Sequence, residues 1–244
     1  MEFRLEGRED EQVLGLMEIK QLHSWKVSTA NASKIQTDLR EKLILHSQTD
    51  FSTIQTIAAA DVSCNKFETV LYAAVVVVRF SDLQILNSYT SISYTSFPYI
   101  PGFLSFREAP AVLDIFKELS DPPDVLICDG QGIAHPRGIG LASHIGLFLD
   151  LPTIGCAKSV LVGSYTDPAP LKGSCSPLSY RDQIVGTALR SRSNVKPVFV
   201  SCGHKIGLQD AVQLVLHSCQ RYRIPEPLRM AHRLVNEIRT GNSK

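Results

Sequence analysis

Two short stretches decide the fold: Ile57-Ala58-Ala59-Ala60-Asp61-Val62 and Val125-Leu126-Ile127-Cys128-Asp129-Gly130. Each carries an apolar run that meets an aspartate, and apolar runs of this length bounded by polar residues read as buried strands. An acid at the end of such a strand lies on the sheet edge, where α/β folds place their sites. If the two strands are parallel neighbours, they run about 4.8 Å apart. Two carboxylates at matching strand ends can then share one divalent cation. Without a cation they repel, and one takes up a proton. Hard oxygen ligands select Mg²⁺ or Mn²⁺. Each aspartate could instead cap a turn, Asp129 before Gly130 especially, and spacing alone leaves both readings open.

Outward from these stretches, the pattern predicts an α/β chain. Leu71–Phe80, with four consecutive valines, and Leu83–Ser93 follow the first strand over short polar links, which predicts an antiparallel meander. Glu108, Val112, Ile115, Phe116 and Leu119 fit helical spacing, stopped by Asp121-Pro122-Pro123, and place Glu108 in the first turn. Gly138–Asp150 reads as a helix, and Pro152–Gly155 begins another strand. This alternation favours a mixed or parallel sheet. Residues 163–180 read as a loop-like insertion rich in Gly, Ser and Pro. Ile184–Arg190 and Val198–Ser201 read as strands, and Leu208–Cys219 and Pro227–Arg239 as closing helices. Residues 1–50 are expected to form a helical N-terminal extension, with its clearest helix over Ala32–Leu45. No repeat or linker divides the 244 residues, so a single domain is expected.

The composition, 44% hydrophobic and 20% charged, excludes a disordered or collagen-like chain. The longest apolar run, Ala73–Val78, is too short to span a membrane, and MEFRLEGRED lacks an apolar signal core. A soluble, cytoplasmic, monomeric protein without membrane contact is expected. The net charge of +1 hides an asymmetry, because residues 181–244 alone carry +7. A basic end suits a phosphate-backbone partner, although charge runs are also ordinary solvated faces. The six cysteines show no CxxC or CxxH spacing, which argues against zinc and for buried thiols at Cys128, Cys156 and Cys202.

Four further features bear on chemistry. Glu108 could complete an acidic cluster with Asp61 and Asp129, or only favour its helix dipole. Lys158, in Gly155-Cys156-Ala157-Lys158-Ser159, could meet a phosphate or be a surface lysine; no Walker A loop is present. His232, flanked by Arg229 and Arg233, could move a proton near neutral pH or be an ordinary helical histidine. Phe97-Pro98-Tyr99-Ile100-Pro101 is a loop stiffened by two prolines, suited to wedging into a base stack or to packing on its own core.

In order, Pro98-Tyr99-Ile100-Pro101-Gly102, Phe106-Arg107-Glu108, Asp129-Gly130-Gln131-Gly132, Gly155-Cys156-Ala157-Lys158 and the run from Arg223 to His232 resemble the endonuclease V family. The resemblance covers most of the chain after about residue 54; the first 50 residues match no motif of it, and the strand before Asp61 is alanine-rich where a glycine is expected. It implies a ribonuclease H-like fold, a mixed five-stranded core sheet flanked by helices. It implies Mg²⁺-dependent hydrolysis (Mn²⁺ substituting) of the second phosphodiester bond 3′ to deoxyinosine or inosine, leaving 3′-hydroxyl and 5′-phosphate ends. Carried over residue by residue, Asp61, Asp129 and Glu108 hold or support the metal, while Glu108, Lys158 and His232 serve catalysis. Tyr99, with Pro98, Ile100 and Pro101, forms the wedge; Gly102, Leu104, Gly130, His135 and Gly155 form the pocket for a flipped hypoxanthine.

DNA is the expected substrate, in the manner of bacterial repair enzymes. An endoribonuclease acting on edited RNA keeps the same site and differs at the 2′ position. A non-catalytic inosine reader would require loss of a metal ligand, whereas all five acid, lysine and histidine positions are present. A different metal-dependent nuclease on the same fold is the remaining reading.

Overall fold

A computed structural model describes residues 17–65 and 68–241; the reading of the first ten residues lies outside them. The chain order is α1 (Thr29–Arg40), β1 (Thr56–Ser63), β2 (Val70–Arg79), β3 (Ile85–Tyr94), α2 (Leu104–Phe116), β4 (Val125–Cys128) and α3 (Leu141–Leu149). Then follow β5 (Thr153–Ala157), β6 (Cys175–Tyr180), β7 (Gln183–Leu189), β8 (Val198–His204), α4 (Leu208–His217) and α5 (Glu226–Thr240). The strands form one mixed sheet in the order β3-β2-β1-β4-β5-β8-β7-β6. β1, β4 and β5 are parallel, and the other pairs are antiparallel. The expected meander is β1-β2-β3.

Helices cover both faces. Val112, Ile115 and Phe116 of α2 and Ile145 and Phe148 of α3 pack on one face, against Ala58, Ala60 and Val75. Ala211, Leu214 and Val215 of α4 and Leu228 and Ala231 of α5 pack on the other, against Ile57, Ala59 and Val76. The alanines of β1 have a clear use. Ala58 and Ala60 share their face with Ala109 and Ala111 of α2, and small side chains on both elements let a helix approach the sheet.

Several sequence expectations are corrected. The five-stranded core is part of an eight-stranded sheet. The loop-like reading of 163–180 fails over its last six residues, which form edge strand β6 and pair with β7. Pro177 sits in this strand, and edge strands tolerate proline because one side of the ladder needs no donor. α1 starts at Thr29, where the Ser28 side chain accepts from the Asn31 N–H, and stops at Arg40 short of Leu45. α3 starts at Leu141 because Gly138 takes a positive φ and Gly140 is the cap residue. No helix among the described residues is long and apolar enough to cross a membrane. Cys128, Cys156, Cys202 and Cys219 are buried free thiols.

Candidate active site

The parallel register pairs Ala60 of β1 with Cys128 of β4, so the next residues, Asp61 and Asp129, stand side by side at the sheet edge. The Asp129 N–H donates to the Ala60 carbonyl at 3.1 Å and holds the two strand ends together. One strand further on, β5 ends at Ala157 and presents Lys158, which forms an ion pair with Asp129.

α5 supplies the histidine. Leu228, Ala231 and Val235 are its buried stripe, and His232 lies beside that stripe with its side chain largely exposed. Its Nδ1–H donates to Asp61 Oδ2 at 2.7 Å, while Asn236 Nδ2 stands 3.3 Å from Nε2. Asp61 Oδ1 accepts from the Val62 N–H at 3.0 Å. Ligand atoms of Asp61, Asp129 and His232 all lie within 4.8 Å of one another. The two carboxylates at this spacing fit a single divalent ion of the Mg²⁺ or Mn²⁺ kind, with the imidazole beside them.

Electrostatics agree with an unmet need for cations. Burial and the Asp129 carboxylate hold the Asp61 pKa above the usual carboxylate value, despite His232 and Lys158. Burial, then Asp61, push Glu108 up to about 8, with Asp129 adding to the rise and Arg107 opposing it. Glu108 is not in the first turn of its helix as expected. α2 begins at Leu104, four residues earlier, so Glu108 sits a turn inside and gains little from the helix N-terminus. It also stands outside the 4.8 Å cluster, which holds His232, one of the residues that the resemblance assigns to catalysis.

The Pro-rich loop is clamped at both ends. Arg107 donates from Nη1 to the Phe97 carbonyl at 2.9 Å and from Nη2 to the Glu68 carbonyl at 2.9 Å. At the other end, the Gly102 carbonyl accepts from Arg137 Nη2 at 2.6 Å, His135 Nε2 at 2.9 Å and Gln36 Nε2 at 3.1 Å. Gly102 has φ +81°, which a side chain would strain. Between the clamps, Tyr99 is 71% exposed, with exposed prolines on either side and Ile100 half-buried.

The expected base pocket is reshaped. His135 is buried and already engaged: Nε2–H donates to Gly102, and Nδ1 accepts the Arg137 N–H at 3.2 Å. Its ring therefore positions Gly102 and has no ring nitrogen spare for a base. Gly155 is packed against backbone, since a Cβ there would lie 2.2 Å from Gly132 N. It lets the Asp129–Gly132 turn lie on β5. Gly130 and Leu104, both half-buried, remain nearer the surface. Sequence reasoning missed Gln36, Arg137 and Asn236. Arg137 lies within the matched stretch through His135-Pro136-Arg137-Gly138, and Asn236 lies four residues after His232, one helical turn away.

Beside the cluster runs a groove of about 530 Å³, lined by Asp129, Lys158, Arg229, His232, Arg233 and Asn236 among others. Arg229 and Arg233 come from the basic C-terminal end noted in the sequence, and Lys158 from the end of β5.

Nucleases of the ribonuclease H-like fold are the class that this sheet and its edge cluster define. The family profile described as Endonuclease V matches residues 37–233. Endonuclease V of Trichormus variabilis is 48% identical over 222 residues, covering 90% of this chain and 99% of its own. The crystal structure of endonuclease V from Streptomyces avermitilis aligns with TM-score 0.85 and 39% identity, covering 90% of this chain and 97% of that one. A Ciona intestinalis endonuclease V, in complex with a 24mer DNA containing an inosine followed by a ribo-adenosine, aligns with TM-score 0.76 and 25% identity over 88% of this chain and 98% of that one. The chain belongs to the endonuclease V family and is an endonuclease. The family match begins at residue 37, inside α1, so part of what the sequence suggested was an extension belongs to the common fold.

Proposed function

We propose that this endonuclease recognises deoxyinosine in DNA and hydrolyses the second phosphodiester bond 3′ to it, initiating repair of deaminated adenine. The observation that carries the reading is the Asp61–Asp129–His232 cluster where the parallel pairing of β1 with β4 ends, two residues before β1 itself stops, next to Lys158 and a groove lined by Arg229 and Arg233. The named Ciona relative bound to inosine-containing DNA supports the substrate class.

A bound Mg²⁺ or Mn²⁺ supplies charge neutralisation at the phosphate and a lowered water pKa. Asp61 and Asp129 would hold it, with His232 beside them and Glu108 in support. Lys158 offers its ammonium to the scissile phosphate while remaining tied to Asp129. His232 has its Nδ1–H committed to Asp61, so Nε2 is the ring atom that can take a proton from the attacking water, which would displace the Asn236 amide from it. Water oxygen bonds to phosphorus, the bond from phosphorus to the 3′ oxygen breaks with its electron pair on oxygen, and that alkoxide takes a proton from solvent water to become the 3′-hydroxyl. The products carry 3′-hydroxyl and 5′-phosphate ends.

Tyr99, held out by the two clamps, fills the gap left by the flipped base. A backbone N–H near Leu104 would favour the 6-carbonyl of hypoxanthine over the 6-amino group of adenine, since the Gly130 N–H already donates to the Cys128 carbonyl at 2.9 Å. An RNA substrate would use the same residues, and the ribo-adenosine in the Ciona complex supports that second reading.

Identical single strands, one with deoxyinosine in DNA and one with inosine in RNA, test this with Mg²⁺ at one salt concentration. Faster DNA cutting one nucleotide beyond the lesion supports the proposal. Faster RNA cutting moves the substrate to RNA, and cutting of neither rejects the catalytic reading.

A further inference from the structure

A second groove, of about 780 Å³, opens on the other side of Lys158 from the α5 groove. The two share Lys158 as a common wall, so a strand lying across the sheet edge can pass from one into the other. Its place follows from the topology. β8 is antiparallel to β5 with Ala157 opposite Phe199, so the segment entering β8 arrives at the same edge as Lys158.

The lining suits a nucleic-acid strand. Lys196 is exposed and has no ion-pair partner among the described residues. Arg223 braces the two groups of the wall, donating from Nη2 to the Lys158 carbonyl at 2.8 Å and the Pro197 carbonyl at 2.7 Å. Its Nε is buried without a partner among the described residues. Tyr165 is 38% exposed and steadied edge-on by Phe199, with ring centroids 5.0 Å apart. Arg190 also lines the groove, but Asp167 and nearby carbonyls engage it, and Lys158 is paired with Asp129, which leaves Lys196 and the guanidinium of Arg223 as the surplus positive charge. Cations at a groove wall and an exposed aromatic ring are the two elements of single-strand binding: charge for phosphates and a face for a base.

We infer that this groove is a strand-binding subsite, in which Lys196 holds a backbone phosphate, Arg223 keeps the wall in place and adds its positive charge, and Tyr165 stacks a base several nucleotides from the cut. The inference rests on the nuclease reading above. It extends the contact surface along the sheet edge without adding chemistry.

The test compares anisotropy of labelled 25-nucleotide and 7-nucleotide inosine-containing DNA strands in EDTA for wild type, Lys196→Ala, Tyr165→Ala and Tyr165→Phe. Tyr165→Ala should weaken long-strand binding by about tenfold, and Tyr165→Phe should restore it. Lys196→Ala should lower the slope of log affinity against log salt by about 0.7 on the long strand. Short-strand binding and the cleavage rate at saturating substrate should not change. Equal losses on both lengths, or no loss on the long strand, would overturn the subsite. If wild type bound and cut inosine strands no better than plain ones, the inosine-directed reading would fail, and length and salt dependence on the plain strand would still decide the groove. Melting curves of each variant separate lost binding from lost folding.

Discussion

His232 Nδ1 lies 2.7 Å from Asp61 Oδ2, joining a helix residue to a strand residue 171 positions away in the chain. With Nδ1–H directed at Asp61, the Nε2 lone pair faces the Asn236 amide nitrogen at 3.3 Å and takes a proton only when that amide gives way. Replacing His232 with alanine should reduce single-turnover cleavage by about 10²–10⁴-fold while changing strand affinity much less. Rapid-quench kinetics with filter binding would check it, and equal losses in both would make His232 a binding residue only.

Asp61 and Asp129 repel each other when no cation is bound. Asp129→Asn should therefore raise the melting temperature of the metal-free protein slightly while abolishing Mg²⁺-dependent cleavage. Wild type should gain melting temperature when Mg²⁺ or Mn²⁺ is added, and the variant should gain far less. Full cleavage by Asp61→Ala or Asp129→Ala would reject the metal assignment.

Glu108 has its pKa raised to about 8 in the folded, metal-free state. The folded state therefore holds a proton that the unfolded state has released, and unfolding sheds it between about pH 4.5 and 8. That contribution is greatest below the unfolded value and is lost as pH rises to about 8. Urea midpoints in EDTA should fall over this window for wild type and fall less for Glu108→Gln.

His135 behaves in the opposite sense. Burial, then Arg137, lower its pKa to about 4, although its bond to Gly102 pulls upward. Protonation of Nδ1 would also break the bond from the Arg137 N–H. The contribution is present above the unfolded value of about 6.5 and is lost as pH falls toward 4, at most about 3 kcal/mol. His135→Gln should flatten the acid limb of a stability profile, with the remaining slope assigned to other buried histidines such as His144.

The clamp on Gly102 makes a kinetic prediction at a distance. Gln36→Leu removes one donor to that carbonyl and the acceptor of Arg137 Nε, leaving Tyr99 itself unchanged. It should weaken affinity for an inosine strand in the same direction as Tyr99→Ala and leave affinity for a plain strand unchanged. Loss of affinity for both strands would place Gln36 in general stability instead.

Packing gives the last prediction. Gly155→Ala places a methyl 2.2 Å from a backbone nitrogen in the core, and a backbone clash cannot relax as a side chain does. The variant should lose most of its stability, by several kcal/mol, in a denaturant titration.

Much of this protein is local information. The apolar runs ending at Asp61 and Asp129, the valine strand Val75–Val78 and the Leu228, Ala231, Val235 stripe are periodicities that a sequence displays, because burial follows side-chain order along one element. The ordered short motifs likewise identified the family. Tertiary structure alone decided which groups meet. It placed His232 in the cluster ahead of Glu108, turned His135 from a base contact into a support for Gly102, and drew Gln36 from α1 into the same clamp. It also made Cys175–Tyr180 an edge strand despite Pro177. These outcomes depend on hydrogen bonds and close approaches between residues far apart in the chain, and no periodicity encodes those distances.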